Sequence, residues 1–206
     1  NVTVPFKKDV IPFLNKLSHE AEQTQSVNTI TFENGLLLGH NTDIIGFQKS
    51  MQFTNYSIKN KKIFILGAGG VVPSIIFALN KMEVSKIIIS NRTEKKAKDL
   101  KDQFKNIDVV EWGRSPEYDV IINATSLGLN NESINLDFSS NLNNKLFYDV
   151  IYNPSETNFL KEAKKFGHMA ENGKLMFVYQ AFEAFRLWHK VEPKITEETL
   201  KLLKND

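Results

Sequence analysis

The residues with the clearest chemical promise are Gly67-Ala68-Gly69-Gly70, which follow the lysine pair and apolar run KKIFIL and precede the helical stretch VVPSIIFALNKM. A buried strand running through a glycine turn into a helix suits a dinucleotide. Gly67 permits the tight turn, Gly69 lets backbone approach a pyrophosphate, and the helix N-terminus offers free N–H groups to the anion. Ordinary strand-to-helix turns carry such glycines too, and Val72 stands at the third glycine position. The next strand adds a second cue: it ends at Ser90 and is followed by Asn91-Arg92-Thr93, where an NAD enzyme would present a carboxylate to the ribose hydroxyls. Arg92 offers a planar cationic fork suited to a ribose 2′-phosphate, with Thr93 and Lys96 as helpers, so NADP is expected in preference to NAD. A solvated charge at Arg92 and a helix N-cap at Thr93 are the plainer readings of the same residues.

Such loops need a sheet to hold them, and the periodicity supplies one. KIIIS, DVV, YDVIINA and KLFYDVI read as further short apolar strands, with TEKKAKDLKDQF as an exposed helix between the first two. Apolar strands alternating with helices imply a parallel sheet covered on both faces, an α/β doubly wound domain. Upstream, Val2 and Val4 suit a short strand, and Val10, Phe13, Leu14 and Leu17 recur at helical spacing. Asn34-Gly35 between VNTITF and LLLGH signals a hairpin, because both residues tolerate positive φ. Asp43 stands where it could cap the helix of IIGFQKSMQF. Two helices, Met176 to Trp188 and Thr196 to Lys204, close the chain.

Composition sets the outer limits. The 206 residues are 41% apolar, enough for one large or two small domains, and the net charge of +2 comes from 26 basic and 24 acidic residues spread along the chain. Small-molecule partners are therefore expected, with no nucleic acid and no membrane. Cysteine is absent and the four histidines (His19, His40, His168 and His189) lack ligand spacing, so no metal is expected. Without a spanning run or a leader pattern, the cytoplasm is the expected location.

NVTVPFK, SVNTI, GHNTDIIGF, GAGG, NRT, INATSLG, YDVIYNP and NGKLMFVYQAFEAF occur together in the order characteristic of shikimate dehydrogenases, and nearly the whole chain resembles that family. NVTVPFK and NTD at this interval are particular to it and to its quinate-using relatives. The resemblance implies an α/β substrate domain facing a Rossmann-type NADP domain across a cleft. It also implies reversible reduction of 3-dehydroshikimate to shikimate, the fourth step of the aromatic amino acid pathway. By position, Lys7 matches the lysine that acts as general acid or base at the reacting oxygen, and Asp43 matches its paired carboxylate. An ammonium beside a carboxylate can polarise a ketone and deliver a proton as hydride arrives; in the reverse direction Lys7 must first be neutral. Substrate contacts carry over to Thr3, Asn28, Tyr152 and Gln180, groups that suit a polyol acid. Gln180 also falls on the apolar face of its helix with Phe177, Ala181 and Trp188, which predicts a buried amide in need of partners. Cofactor positions carry over to Gly67, Ala68, Gly69, Gly70, Val71, Asn91, Arg92, Thr93, Lys96, Ile151 and Gly173, with Gly173 expected to let backbone sit near the nicotinamide.

The resemblance further implies a substrate domain of residues 1–42 and 173–206, incomplete at its N-terminus, around an NADP domain of residues 43–172. The family's leading strand-helix-strand segment, with its serine pair for the substrate carboxylate, does not precede Asn1 in this sequence. Truncation, a chain given only over its ordered part and a short paralogue all stay open as reasons. Loss of that segment would expose a sheet edge near NVTVPF and invite self-association; a monomer or homodimer is expected. Lys174-Leu175 and Tyr179 also depart from the family pattern, which bears on nicotinamide placement. A quinate/shikimate dehydrogenase with relaxed NAD and NADP use, and a catalytically silent NADP- or shikimate-binding paralogue, are the alternatives.

Overall fold

The computed structural model describes residues 1–136 and 144–202. The chain builds β1 (Lys16–Leu17), α1 (His19–Thr24), the hairpin β2 (Thr29–Glu33) and β3 (Leu36–His40), and then α2 (Asp43–Phe53). A regular alternation follows: β4 (Lys62–Leu66), α3 (Val72–Lys81), β5 (Lys86–Ser90), α4 (Glu94–Gln103) and β6 (Ile107–Val110). After these come β7 (Val120–Asn123), β8 (Leu146–Asp149), α5 (Asn158–Lys165), β9 (Met169–Glu171), α6 (Lys174–His189) and α7 (Glu197–Leu202). The expected last helix thus forms, and its final two predicted residues lie outside the described ones.

Two sheets result: a small one of order β1-β3-β2 and a parallel one of order β6-β5-β4-β7-β8-β9. In β4 the side chains of Ile63 to Leu66 alternate, all buried, between two cores. Ile63 and Ile65 pack with the α2, α3 and α4 side, and Phe64 and Leu66 pack with Tyr118, Phe147 and Phe159 on the other. Burial on both faces is why the strand reads as an unbroken apolar run. The chain winds from β4 outward to β6 and then resumes at β7 on the other side of β4, so a crevice opens beyond the carboxyl ends of β4 and β7. Parallel registers aligning Leu66 with Ser90 and Asn123, and Asn123 with Asp149, bring four loops to that one rim.

The hairpin forms where the Asn-Gly step predicts it, with Asn34 at φ 51° and Gly35 at φ 78°. The opening stretch differs from expectation. Val2–Val4 is not a strand, and in place of a helix over Val10–Leu17 there is a single 3-10 turn at Ile11–Phe13 followed by β1. Long-range pairing decides this. Val2 N–H donates to Asn28 O and Val27 N–H to Lys7 O, while Asn15 pairs twice with Leu37, through its own N–H and through its side-chain Oδ1. Asp43 is the first residue of α2 and does not cap it; Thr42 holds the cap position without a side-chain bond. Helices α1 and α5 and strand β9 form where periodicity signalled nothing.

α2 and α6 cross closely, because Gly46 has no Cβ to meet Met176 O, which would lie 2.7 Å away. From this crossing α6 runs back to the small sheet, where Trp188 Nε1 donates to Ile30 O at 2.9 Å. This helix pair is one of the ties between the two sheets. Among the described residues no helix is long and apolar enough to cross a membrane. No group of three or more His, Asp or Glu side chains there could hold a metal ion.

Candidate active site

Lys7 sits where the two sheets face each other. Backbone bonding of residues 2–7 beside Val27 and Asn28 aims its side chain at the start of α2, and Nζ lies 2.6 Å from Asp43 Oδ2. Both side chains are largely withdrawn from water, at 14% and 8% exposure, so the ion pair is better shielded than a surface pair. Asn28 holds the other carboxylate oxygen, its Nδ2 donating to Asp43 Oδ1 at 2.9 Å and to Thr42 Oγ1 at 2.9 Å. Asn28 Oδ1 accepts the Thr42 N–H. The amide of Asn28 is therefore committed to orienting Asp43, although the residue lines the cavity as expected.

That cavity, of about 490 Å³, is lined by Thr3, Lys7, Asn28 and Asp43 on one side and by Val71, Val150, Tyr152, Gly173, Met176 and Gln180 on the other. Thr3 is exposed to it. Tyr152 stacks on Phe177 with ring centroids 4.6 Å apart, forming an aromatic wall. Gln180 corrects the expectation of a buried amide: it is half-buried, and its Nε2 donates back to Phe177 O, so its carbonyl oxygen can face the cavity.

A second groove of about 270 Å³ runs along the rim of the parallel sheet, with Gly67, Ala68, Gly69, Asn91, Arg92, Thr93 and Lys96 in its walls. Gly67 has φ 108°, and a Cβ there would meet Ala124 O at 2.7 Å, so its turn requires glycine. A Cβ at Gly70 would meet nothing within 4 Å, which leaves that backbone open to a ligand. Thr93 precedes α4 at the cap position but makes no cap bond through its hydroxyl, which stays available. A third cavity, of about 530 Å³, joins the other two: it shares Lys7 with the first and Ala68, Gly69 and Lys96 with the second. Lys7 thus borders both the first and third cavities, and the glycine loop with Lys96 borders both the second and third.

The donor set fits NADP. The end of β5 supplies Asn91, Arg92 and Thr93 with Lys96 nearby, and no carboxylate among the groove's lining residues opposes a phosphate.

Four expected cofactor residues sit outside that groove, Gly70 among them in the wall of the third cavity. Val71 lines the first cavity, and Ile151 is buried beneath the rim, where its side chain touches the site of Gly128 and its backbone meets Asp149 and Gly173. Gly173 lines the cavity, yet its need for glycine is internal: a Cβ would fall 2.1 Å from Val150 O. Tyr179 is accommodated by stacking on Phe53, and Val72 is buried in the core.

Sequence reasoning passed over Trp112, Thr125 and Ser126, which form the far wall of the groove. INATSLG was the available signal. Asn123 Oδ1 accepts from both the N–H and the hydroxyl of Thr125, and Asn123 Nδ2 donates to Asp149 Oδ1, fixing the loops after β7 and β8 together. Burial pushes the Asp149 carboxyl up, while bonds from Thr157, Ile151 and Asn123 act in the opposite direction.

Comparison with known proteins adds independent findings. The family model described as shikimate / quinate 5-dehydrogenase matches residues 48–150, and that of the shikimate dehydrogenase substrate binding domain matches residues 1–30. The chain is 55% identical to the shikimate dehydrogenase (NADP(+)) of Pelagibacter ubique over 204 residues, covering 98% of this chain and 77% of that one. Among solved structures, shikimate dehydrogenase from Aquifex aeolicus superposes with a TM-score of 0.86 at 38% identity, covering 100% of this chain and 76% of that one. Quinate dehydrogenase from Corynebacterium glutamicum in complex with NAD superposes with a TM-score of 0.90 at 30% identity, covering 99% and 77%.

Proposed function

The chain belongs to the shikimate/quinate dehydrogenase family, and from that premise we infer that it catalyses the NADP-dependent, reversible reduction of 3-dehydroshikimate to shikimate. It is an oxidoreductase acting on a CH–OH group, and this reaction belongs to the shikimate pathway. Bound NADPH supplies the hydride. The observation that carries the reading is the shielded Lys7–Asp43 pair at 2.6 Å in the wall of the cavity of about 490 Å³, with Lys7 also bordering the cavity that the glycine loop lines.

Lys7 acts as the proton donor to the ketone oxygen during reduction and as the acceptor, once neutral, during oxidation. Asp43 fixes the direction of the Lys7 ammonium, and Asn28 fixes Asp43. Thr3, Tyr152 and Gln180 bind hydroxyl and ring groups of the substrate from both walls. Gly67 to Gly70 cradle the pyrophosphate. Asn91, Arg92, Thr93 and Lys96 hold the 2′-phosphate, for which two cations and a free hydroxyl are a strong match. Val71, Ile151 and Gly173 shape the nicotinamide end through their position beside Val150.

Residues 1–42 and 173–206 form the substrate domain in this reading, with residues 43–172 as the cofactor domain. The separate small sheet and the return of α6 to Ile30 support that division. Relaxed cofactor use and a silent binding role are not favoured, because relatives at 55% and 40% identity are NADP(+) shikimate dehydrogenases. The test is shikimate-dependent reduction of NADP by the purified chain, with NAD and quinate in parallel. Turnover confined to quinate and NAD would overturn the reading.

A further inference from the structure

We infer that Asn41 is a positioning residue for this reaction, anchored by Ser74 of α3, and that together they register the Lys7–Asp43 pair against the glycine loop; the inference rests on the functional reading above. The side chain of Asn41 is buried and joins three elements at once. Its Nδ2 donates to Thr24 Oγ1 at the end of α1 (2.9 Å) and to Ser74 Oγ (2.9 Å). Its Oδ1 accepts the backbone N–H of Asp43 at 3.2 Å and lies 3.3 Å from the Ser74 hydroxyl. The Thr24 hydroxyl in turn donates a hydrogen bond to Glu20 O, so the cluster is internally satisfied. A buried network with every member partnered is stiff, and loss of one member is felt by the others.

The position of Ser74 gives the network its meaning. It is the third residue of α3, the helix that opens directly after Gly67–Val71, so it moves with the dinucleotide loop. Asp43 opens α2 and carries Lys7. Hydride transfer requires reacting atoms to approach within roughly 3–3.5 Å, and small misplacements of one half-site against the other are costly. Other side-chain links between the same two sides, Lys81 to Glu20 and Gln103 to Gln23, are exposed and hold position weakly. Asn41, by contrast, is a buried polar link between the start of α2 and the first turn of α3.

The experiment compares wild type, Ser74→Ala, Asn41→Ala, the double variant and Lys81→Ala in shikimate oxidation, with NADP affinity and thermal unfolding measured alongside. Ser74→Ala is expected to lower kcat about tenfold while the NADP dissociation constant stays within about twofold. The double variant should be no slower than Asn41→Ala alone, since both act through one network, and Lys81→Ala should match wild type. Should Asn41→Ala fail to fold, Ser74→Ala decides. Wild-type kcat in Ser74→Ala, or equal losses in kcat and NADP affinity, would overturn the positioning role while leaving the function intact. A wild-type chain without turnover would overturn the functional reading, and this inference with it.

Discussion

Lys7 Nζ reaches Asp43 Oδ2 at 2.6 Å across a sequence separation of 36 residues, and both groups are shielded from solvent in the wall of the cavity of about 490 Å³. The lysine can therefore meet a substrate oxygen while its charge is balanced from behind. Lys7→Ala is expected to lower turnover by about two to four orders of magnitude, the usual range for a positioned general acid or base. NADP binding should be nearly unchanged. Steady-state kinetics with fluorescence titration of NADPH checks both, and an unaltered kcat would remove Lys7 from the chemistry.

Arg92 and Lys96 flank the end of β5 with the uncommitted hydroxyl of Thr93. Charge-assisted bonds are worth about 1.5–3 kcal/mol each, so Arg92→Ala should weaken NADP binding roughly ten- to hundredfold. NAD affinity should stay as it was, because only the 2′-phosphate differs. Calorimetric titration with both cofactors separates this outcome from a folding defect, which would weaken both.

Gly46 lets α2 approach α6 at the height of Gln180. A Cβ there would stand 2.7 Å from Met176 O and 3.0 Å from Gln180 N, and backbone gives way poorly. Gly46→Ala is expected to cost about 1–3 kcal/mol of stability by overpacking and to raise KM for shikimate by moving Gln180. Urea unfolding reads the first effect and kinetics the second; a variant as stable as wild type would mean that the helices part freely.

His40 ends β3, bonded to Thr31 Oγ1 at 3.0 Å, and burial holds its imidazole below the ordinary value of 6.5, with the Glu33 carboxylate acting the other way and Lys190 reinforcing the shift. Between the lowered folded value and 6.5 the unfolded chain binds more protons than the folded one, so stability falls as pH drops through that window. Urea midpoints should decrease between about pH 7 and pH 5.5 in wild type, and less so in His40→Gln. Equal slopes for the two proteins would assign the acid sensitivity elsewhere.

Features that depend on neighbours along the chain are legible in the order of the amino acids. Asn34-Gly35 turns because both residues accept positive φ, and Ile63 to Leu66 of β4 are apolar because both faces of the sheet are covered there. Gly67 and Arg92 read as a dinucleotide site because strand, turn and helix follow one another directly. Features that depend on partners far away along the chain arise on folding. Residues 10–17 have helical spacing, yet they form only a 3-10 turn at Ile11–Phe13, and bonding of Asn15 to Leu37 leads Lys16 and Leu17 into β1. Asn28 looks like a free amide until Thr42 and Asp43 use its bonding groups. Trp112 and Thr125 join Arg92 in one groove because the chain resumes at β7 on the far side of β4. Lys7 and Asp43 pair because residues 1–7 lie against Val27 and Asn28. Local dihedral preference and period are written in adjacent residues, whereas a contact across 36 positions exists only once the chain has closed on itself.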